Sequence, residues 1–240
     1  MLQAVILAGG LGTRLRPFSL TIPKPLLPLG DKPIIELLLG QLKTNGFGKI
    51  IVSLGYMAPL FQAFLGDGSR WGLEIDYVVE DVPLGTAGCL RLIPDLQDDF
   101  LVVNGDTLTD LRFKDLAKAH QSSNAIATIF SAKIDEYVDF GVLEFDNYGT
   151  LDKYIEKPTR HYHVSTGVYA ISRRILKHAG SEARLDMPTL FRAAKEAGER
   201  VCCFEQKDVY WRDIGRFDHY ESASKDFKAN PGRFLQADCQ

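Results

Sequence analysis

The chain lacks any window of eighteen apolar residues, so no segment of it reads as a membrane-spanning helix. It also lacks a basic tract. Lysine and arginine number 28 against 31 aspartates and glutamates, a net charge of −3, which offers no phosphate-backbone footprint for nucleic acid. Cysteine is scarce: Cys89, Cys202, Cys203 and Cys239 are the only four. None stands in a C-x-x-C pair, and the adjacent Cys202 and Cys203 are poorly placed to bridge one another, so a reduced, cytoplasmic setting is expected. Met1 to Ala8 has neither the basic residues nor the length of a secretory leader. No Ser/His/Asp set stands out, and His161 and His163 have no third residue to complete a metal site. Repeats, linkers and low-complexity tracts are absent too, so residues 1–240 are expected to fold as one domain.

Proline and glycine, by contrast, are concentrated. The run Ala4-Val5-Ile6-Leu7 reads as a buried strand, and at its carboxyl end come Gly9, Gly10 and Gly12, then Thr13, Arg14 and Arg16. Open α/β sheets place ligands at that end of their strands. Glycines there let backbone N–H groups approach an anion, and the hydroxyl and two guanidinium groups suit a triphosphate. Five of the eleven prolines then fall between Pro17 and Pro33. Lys24, between Pro23 and Pro25, is expected to be held extended with little freedom, as phosphoryl chemistry requires of a positioned charge. A P-loop is excluded, because its four-residue glycine spacing and Gly-Lys-Ser/Thr are missing. A dinucleotide fingerprint is excluded as well: Leu15 stands where glycine or alanine is needed, and Asp31 lies inside the proline-rich stretch.

Further on, strands are expected at 49–54, 74–79 and 100–104, with helices at 34–45 and 58–65 between them. The alternation implies an α/β fold: a doubly wound, Rossmann-like domain with a mixed, mostly parallel central sheet. The second half is richer in strands, at 125–133, 141–145, 151–155, 164–171, 200–205 and 209–211. A turn is expected at Asp146-Asn147-Tyr148-Gly149, and helices at 187–197 and 217–228. Asp106 follows the strand that ends at Asn104, and Asp213 follows the strand near Trp211. At its position Asp106 could be a Mg²⁺ carboxylate, but it also reads as a turn residue, and Asp213 reads as the cap of the last helix. Glu156-Lys157-Pro158 ends another strand, with Lys157 held extended by the proline. Glu80 and Leu84-Gly85-Thr86-Ala87-Gly88 form a loop that could read a base, since an ionised carboxylate only accepts and guanine offers two adjacent N–H donors. Cys89, just past it, reads as a small buried hydrophobe with a reactive thiol as the alternative.

The spaced elements Gly9 to Pro17 (G-G-x-G-T-R-L-x-P), Pro23 to Pro28 (P-K-P-L-L-P) and Lys32 to Glu36 (K-P-x-x-E) closely resemble the signature of the sugar-1-phosphate nucleotidylyltransferases. The resemblance runs nearly the whole length, and is nearest to the guanylyltransferases for mannose- or D-glycero-α-D-manno-heptose-1-phosphate. It implies that residues 1–110 hold a nucleoside triphosphate through Leu7, Gly9, Gly10, Gly12, Thr13, Arg14, Glu80, Gly85, Thr86 and Gly88. It implies that residues 111–240 close over a sugar 1-phosphate, with Asn104, Gly141, Glu156, Lys157, Ser165 and Gly167 as contacts. Ser165 departs from the family, where many members carry asparagine. Asp106 and Asp213 would hold Mg²⁺, and Arg14, Lys24 and Lys157 would be the catalytic cations. GTP is favoured over UTP or dTTP, because thymidylyltransferases of the family tend to place glutamine where Glu80 stands. A silent regulatory module of this fold could lose Arg14, Lys24, Asp106, Lys157 or Asp213; all five are present. No nucleic-acid or membrane partner is expected, and the resemblance is compatible with a homo-oligomer. The added C-terminal regions of longer relatives find no room after the last helix, so neither a second activity nor their allosteric site is expected.

Overall fold

The computed structural model describes residues 2–10 and 12–235; Cys239 lies outside them. The first apolar run is β1 (Leu2–Leu7). The proline-rich stretch becomes three single 3-10 turns and two two-residue strands, β2 (Pro28–Leu29) and β3 (Lys32–Pro33), since proline supplies no N–H for a longer ladder. Then follow α1 (Ile34–Thr44), β4 (Phe47–Leu54), α2 (Ala58–Leu65), β5 (Glu74–Val79) and a four-residue α3 (Gly85–Gly88). β6 (Asp99–Asn104), β7 (Thr107–Thr109) and α4 (Phe113–Ser123) complete the first half. The second half holds β8 (Ala127–Tyr137), β9 (Val142–Phe145), β10 (Leu151–Ile155), β11 (Thr159–Ser172), α5 (Met187–Glu196) and β12 (Val201–Phe204). β13 (Trp211–Asp213), α6 (Phe217–Ala229) and α7 (Pro231–Phe234) end it.

Seven strands make the central sheet, in the order β12-β8-β11-β6-β1-β4-β5. β1, β4, β5 and β6 run parallel, and β11 is antiparallel to both neighbours. The sheet is therefore mixed and mostly parallel, as the alternation implied. Strand residues point alternately to its two faces. Ala4 and Ile6 join one core with Leu38 and Leu42 of α1, Phe61 of α2 and Phe113 of α4. Val5 and Val102 join the other, with Leu90 and with Leu190 and Phe191 of α5. Each fully buried Leu, Ile or Phe stabilises the fold by about 1.5–3 kcal/mol, so both faces must stay covered. A third cluster, with Leu15, Leu29, Leu108, Ile214 and Phe227, clamps α6 onto the proline-rich stretch.

Several boundaries differ from expectation, for physical reasons. α4 is absent from the sequence reading because only Phe113, Leu116 and His120 of it are buried, which leaves a thin apolar stripe. β8 and β11 extend past the core as a two-stranded ribbon, pairing Ile134 with Tyr162 and Tyr137 with Thr159. Their outer halves are polar and lack a strand's apolar alternation. The strand expected at 209–211 forms instead at Trp211–Asp213, because its register is set by pairing with β7. Among the described residues no helix is long and apolar enough to cross a membrane.

Candidate active site

A cleft of about 380 Å³ opens at the carboxyl ends of β1, β4 and β6. Leu7 is tied on both sides: Gly105 N–H donates to its carbonyl at 2.9 Å, while Ala8 N–H donates to Ser53 at 2.8 Å. Gly12 has φ +58°, and its carbonyl accepts from Ser19 Oγ at 2.7 Å. The chain then turns through Thr13–Leu15 with Leu15 buried, which anchors the loop from below and leaves Thr13 and Arg14 exposed at the cleft. Arg14 makes no ion pair among the described residues, so its charge is available to a ligand. The thiol of Cys89 lines the same cleft, but burial pushes it up to about 11; it behaves as the buried hydrophobe expected.

Lys24 is not extended. It opens a 3-10 turn, Lys24–Leu26, and is 8% exposed. The turn brings its Nζ into a hydrogen-bonded ion pair with Asp106 Oδ2, 3.7 Å from Asp213 Oδ1. The two carboxylates meet because β13 pairs with β7, Asp213 opposite Thr107, and Ile214 N–H donates to the Asp106 carbonyl at 3.1 Å. Arg216, not Asp213, is the cap of α6, so the capping alternative for Asp213 falls. A Cβ on Gly215 would sit 2.4 Å from Asp213 Oδ2, so this glycine makes room for the carboxylate. Two aspartates around one ammonium are a donor set that fits a hard, oxygen-ligated Mg²⁺, which takes one or two protein carboxylates and leaves its other positions to water and phosphate. No group of three or more His, Cys, Asp or Glu that could hold a metal occurs among the described residues.

At the other end Glu80 is fixed by two bonds: Oε1 accepts from Ser53 Oγ at 2.9 Å, and Oε2 from Leu84 N–H at 2.8 Å. A carboxylate has about four acceptor sites, so two remain. The loop after it is stitched to a segment sequence reasoning missed, residues 184–187. Leu185 exchanges backbone bonds with Leu84, Ala87 and Gly88. Thr86 N–H donates to Asp186 Oδ1 at 3.1 Å, and Met187 N–H donates to Thr86 Oγ1 at 2.8 Å. Gly85 has φ +81°, and a Cβ there would lie 2.6 Å from the Leu185 carbonyl. Arg184 and Asp186 thereby reach the cleft wall. The only sequence signal was Asp186 two residues before Pro188, a helix-start pattern that names no partner.

Of the expected nucleotide contacts, all but Gly88 line the cleft, and so do Lys24, Asn104 and Asp106. The rest of the sugar-phosphate set does not. Gly167 acts from behind: with φ +79°, a Cβ on it would lie 2.2 Å from Asn104 Nδ2, so it makes room for Asn104. Ser165 Oγ is bonded to Tyr169 OH at 3.2 Å. Gly141 is covered by the Tyr154 ring, whose hydroxyl would be 2.5 Å from an added Cβ. Glu156 is exposed. Lys157 is half-exposed with its Nζ 3.1 Å from Asp139 Oδ1. Its backbone is not extended but left-handed, φ +44°, because the chain reverses between β10 and β11 while Pro158 disfavours the right-handed helical region.

The family model described as nucleotidyl transferase matches residues 3–230. This chain belongs to the nucleotidyl transferase family. Among its relatives, the UTP–glucose-1-phosphate uridylyltransferase of Synechocystis sp. is 32% identical over 242 residues, covering 92% of this chain and 62% of that protein. The mannose-1-phosphate guanylyltransferase catalytic subunit beta of Dictyostelium discoideum is 31% identical, covering 98% of this chain and 65% of its own. This nucleotidyl transferase chain thus spans less than two thirds of the length of these relatives. Among solved structures, HddC from Yersinia pseudotuberculosis superposes with a TM-score of 0.73 at 28% identity, covering 95% of this chain and all of that one. The same protein has been solved complexed with GMP-PN.

Proposed function

We propose that the chain joins a nucleoside triphosphate to a sugar 1-phosphate and releases pyrophosphate, with GTP and a mannose- or heptose-type sugar favoured. The observation that carries this reading is the Lys24 ammonium, held between Asp106 and Asp213 beside a glycine loop that exposes Arg14. Residues 1–110 form the nucleotide half and 111–240 the sugar-phosphate half. A phosphate oxygen of the sugar phosphate attacks the α-phosphorus in line; the new O–P bond forms as the bond to the β-phosphate oxygen breaks. That nucleophile is already ionised at neutral pH, so no general base is needed. Arg14 and the loop N–H groups hold the leaving phosphates, and Lys24 offsets the charge that builds on the α-phosphate. Lys157 holds the nucleophile's phosphate, with Asn104, Gly141, Glu156, Ser165 and Gly167 around the sugar. Because Lys157 rests against Asp139 outside the cleft, the ribbon carrying it has to swing inward to do so. Asp106 and Asp213 are the residues that would hold Mg²⁺, which supplies positive charge to the phosphates when bound. The reading places the reaction in the cytoplasm, where thiols such as Cys203 stay reduced.

For the base, the two acceptor sites left on Glu80 match the adjacent N–H donors of guanine, in keeping with the relative named a guanylyltransferase and the HddC complex with GMP-PN. UTP is the second reading, favoured by the Synechocystis relative named a uridylyltransferase. Pyrophosphate release over a grid of GTP, UTP, dTTP, CTP and ATP against mannose-, glucose-, N-acetylglucosamine- and heptose-1-phosphates tests both, with Asp106→Ala as the blank. Release in the GTP column supports the assignment of Glu80, and release with UTP or dTTP alone overturns it. An empty grid from a chain that still binds nucleotide overturns the catalytic reading itself.

A further inference from the structure

Three cations line the cleft among the described residues: Arg14, Lys24 and Arg184. The first two belong to the phosphate chemistry proposed above, and Arg184 has no part in it. Its surface partner does not account for it either. Its one ion pair among the described residues is with Asp186, at 3.9 Å and with both side chains open to solvent. That is too long for a hydrogen bond, and an ion pair so exposed contributes little. The other oxygen of Asp186 is already committed to Thr86 N–H at 3.1 Å. The five N–H donors of the guanidinium are therefore open to a ligand.

Backbone bonds fix its place next to Glu80. Leu84 N–H donates to Glu80 Oε2 at 2.8 Å, and the Leu84 carbonyl accepts at 2.8 Å from Leu185 N–H, in the peptide that joins Arg184 to Leu185. Glycines let the two segments come this close. A Cβ on Gly88 would lie 3.1 Å from the Ala183 carbonyl, and one on Gly85 only 2.6 Å from that of Leu185. Glu80 and Arg184 are thus carried on adjoining backbone and line the same cleft. One side chain only accepts hydrogen bonds and the other only donates them.

Guanine presents the complement of that pair. Its N1–H and N2 amino group are donors for a carboxylate. O6 and N7, next along the edge of the base, are acceptors that take an arginine fork in bidentate fashion. We propose that Arg184 is the second base-reading residue, binding guanine O6 and N7 while Glu80 binds N1–H and N2. Adenine carries an amino group where guanine has O6, and an acceptor where it has N1–H. Both side chains would then face groups of their own kind, which rejects adenine. The proposal rests on the assignment of Glu80 to guanine made above and extends it to the rest of the base edge.

Calorimetric titration of the full chain without sugar phosphate, so that nothing turns over, tests it. The ligands are GTP, UTP, ITP (which lacks the N2 amino group) and 7-deaza-GTP (which lacks N7). The wild type should bind 7-deaza-GTP about fivefold more weakly than GTP, the loss of one arm of a bidentate contact. Arg184→Met keeps the length of the side chain and removes its donors, and because the residue is exposed the thermal midpoint should not move. Its dissociation constant for GTP should rise about tenfold, and it should bind GTP and 7-deaza-GTP equally. The preference for GTP over ITP, which reports on Glu80, should survive the substitution. A wild type that binds GTP and 7-deaza-GTP alike overturns the inference and leaves the guanine assignment standing. So does an Arg184→Met variant that weakens every nucleotide by the same factor, the result expected of an arginine serving the phosphates. Binding of UTP but not GTP overturns the guanine assignment and the inference with it.

Discussion

Replacing Thr86 by valine keeps the side chain's shape and removes one hydroxyl, and the loss falls on a helix far along the chain. Asp186 is the N-cap residue of α5, yet its carboxylate does not cap that helix; it accepts from Thr86 N–H instead, and Thr86 Oγ1 accepts from Met187 N–H. Each residue therefore satisfies an amide of the other's segment. Removing a capping acceptor costs about 0.5–2 kcal/mol, and because Thr86 is exposed, water makes good part of the loss. We expect about 1 kcal/mol for Thr86→Val and about 1 kcal/mol for Asp186→Ala by urea unfolding, within that capping range. The double variant should cost noticeably less than the sum, a coupling of about 0.5–1 kcal/mol, since both bonds span one contact. Asp186→Asn keeps an acceptor oxygen and should restore most of the loss. In kinetics the KM for the nucleotide should rise about five- to tenfold, roughly 1 kcal/mol of binding, with kcat little changed, because the pair places the loop and touches no reacting atom. Two results would refute this: strict additivity of the two substitutions, or an Asp186→Asn variant as damaged as Asp186→Ala.

Lys24→Met should lower kcat/KM for pyrophosphate release by about 10²–10³, the usual loss for one charge-stabilising group, while nucleotide affinity measured by calorimetry changes much less. Gly167→Ala puts a methyl 2.2 Å from Asn104 Nδ2 at φ +79°; strain and overlap should cost about 1–3 kcal/mol in thermal unfolding, and the KM for the sugar phosphate should rise as Asn104 is displaced. His120 is held neutral mainly by burial, which lowers its pKa against the opposing pull of Asp99, 3.6 Å from Nε2. A lowered folded pKa means the unfolded chain binds the proton first, so this contribution is intact above about pH 6.5 and is lost as pH falls below it. The urea midpoint should drop between pH 7.5 and 5.5, and His120→Gln should flatten that drop; an equal drop in both proteins would assign it to other groups.

Much of the fold was legible because its signals are local. β1, β4 and β6 are short apolar runs at the sheet's centre, and α2 fell at 58–65 as its periodicity said. Legibility failed where partners decide. β13 slid to Asp213 because Thr107–Thr109 sets its register, and β8 and β11 outran their apolar cores because each strand supplies the other's hydrogen bonds. α4 was missed since three buried side chains in eleven positions fall below any periodic threshold.

The site divides along the same line. The end proposed to hold phosphates is written within one stretch, where Arg14 and Lys24 lie on the first and third of three successive 3-10 turns that follow the glycines, and spacing alone carries chemical meaning. Even there the conformation escaped: a lysine between two prolines was expected to extend, and it turns instead, because only the turn carries Nζ to Asp106. The end proposed to read the base is braced by Asp186, a hundred residues from Thr86, a pairing no local pattern encodes. The residues proposed to meet the sugar are more distant still. Gly141, Glu156 and Lys157 ride on the exposed β9–β10 hairpin and the turn that follows it, held away from the cleft that Lys24 and Arg14 line. Residue types suffice to assign roles where the backbone is rigid and contiguous. Lys157, which the proposed reaction needs beside the cleft, rests instead against Asp139, so the role proposed for it depends on an arrangement of the chain that its residue type and local spacing do not encode.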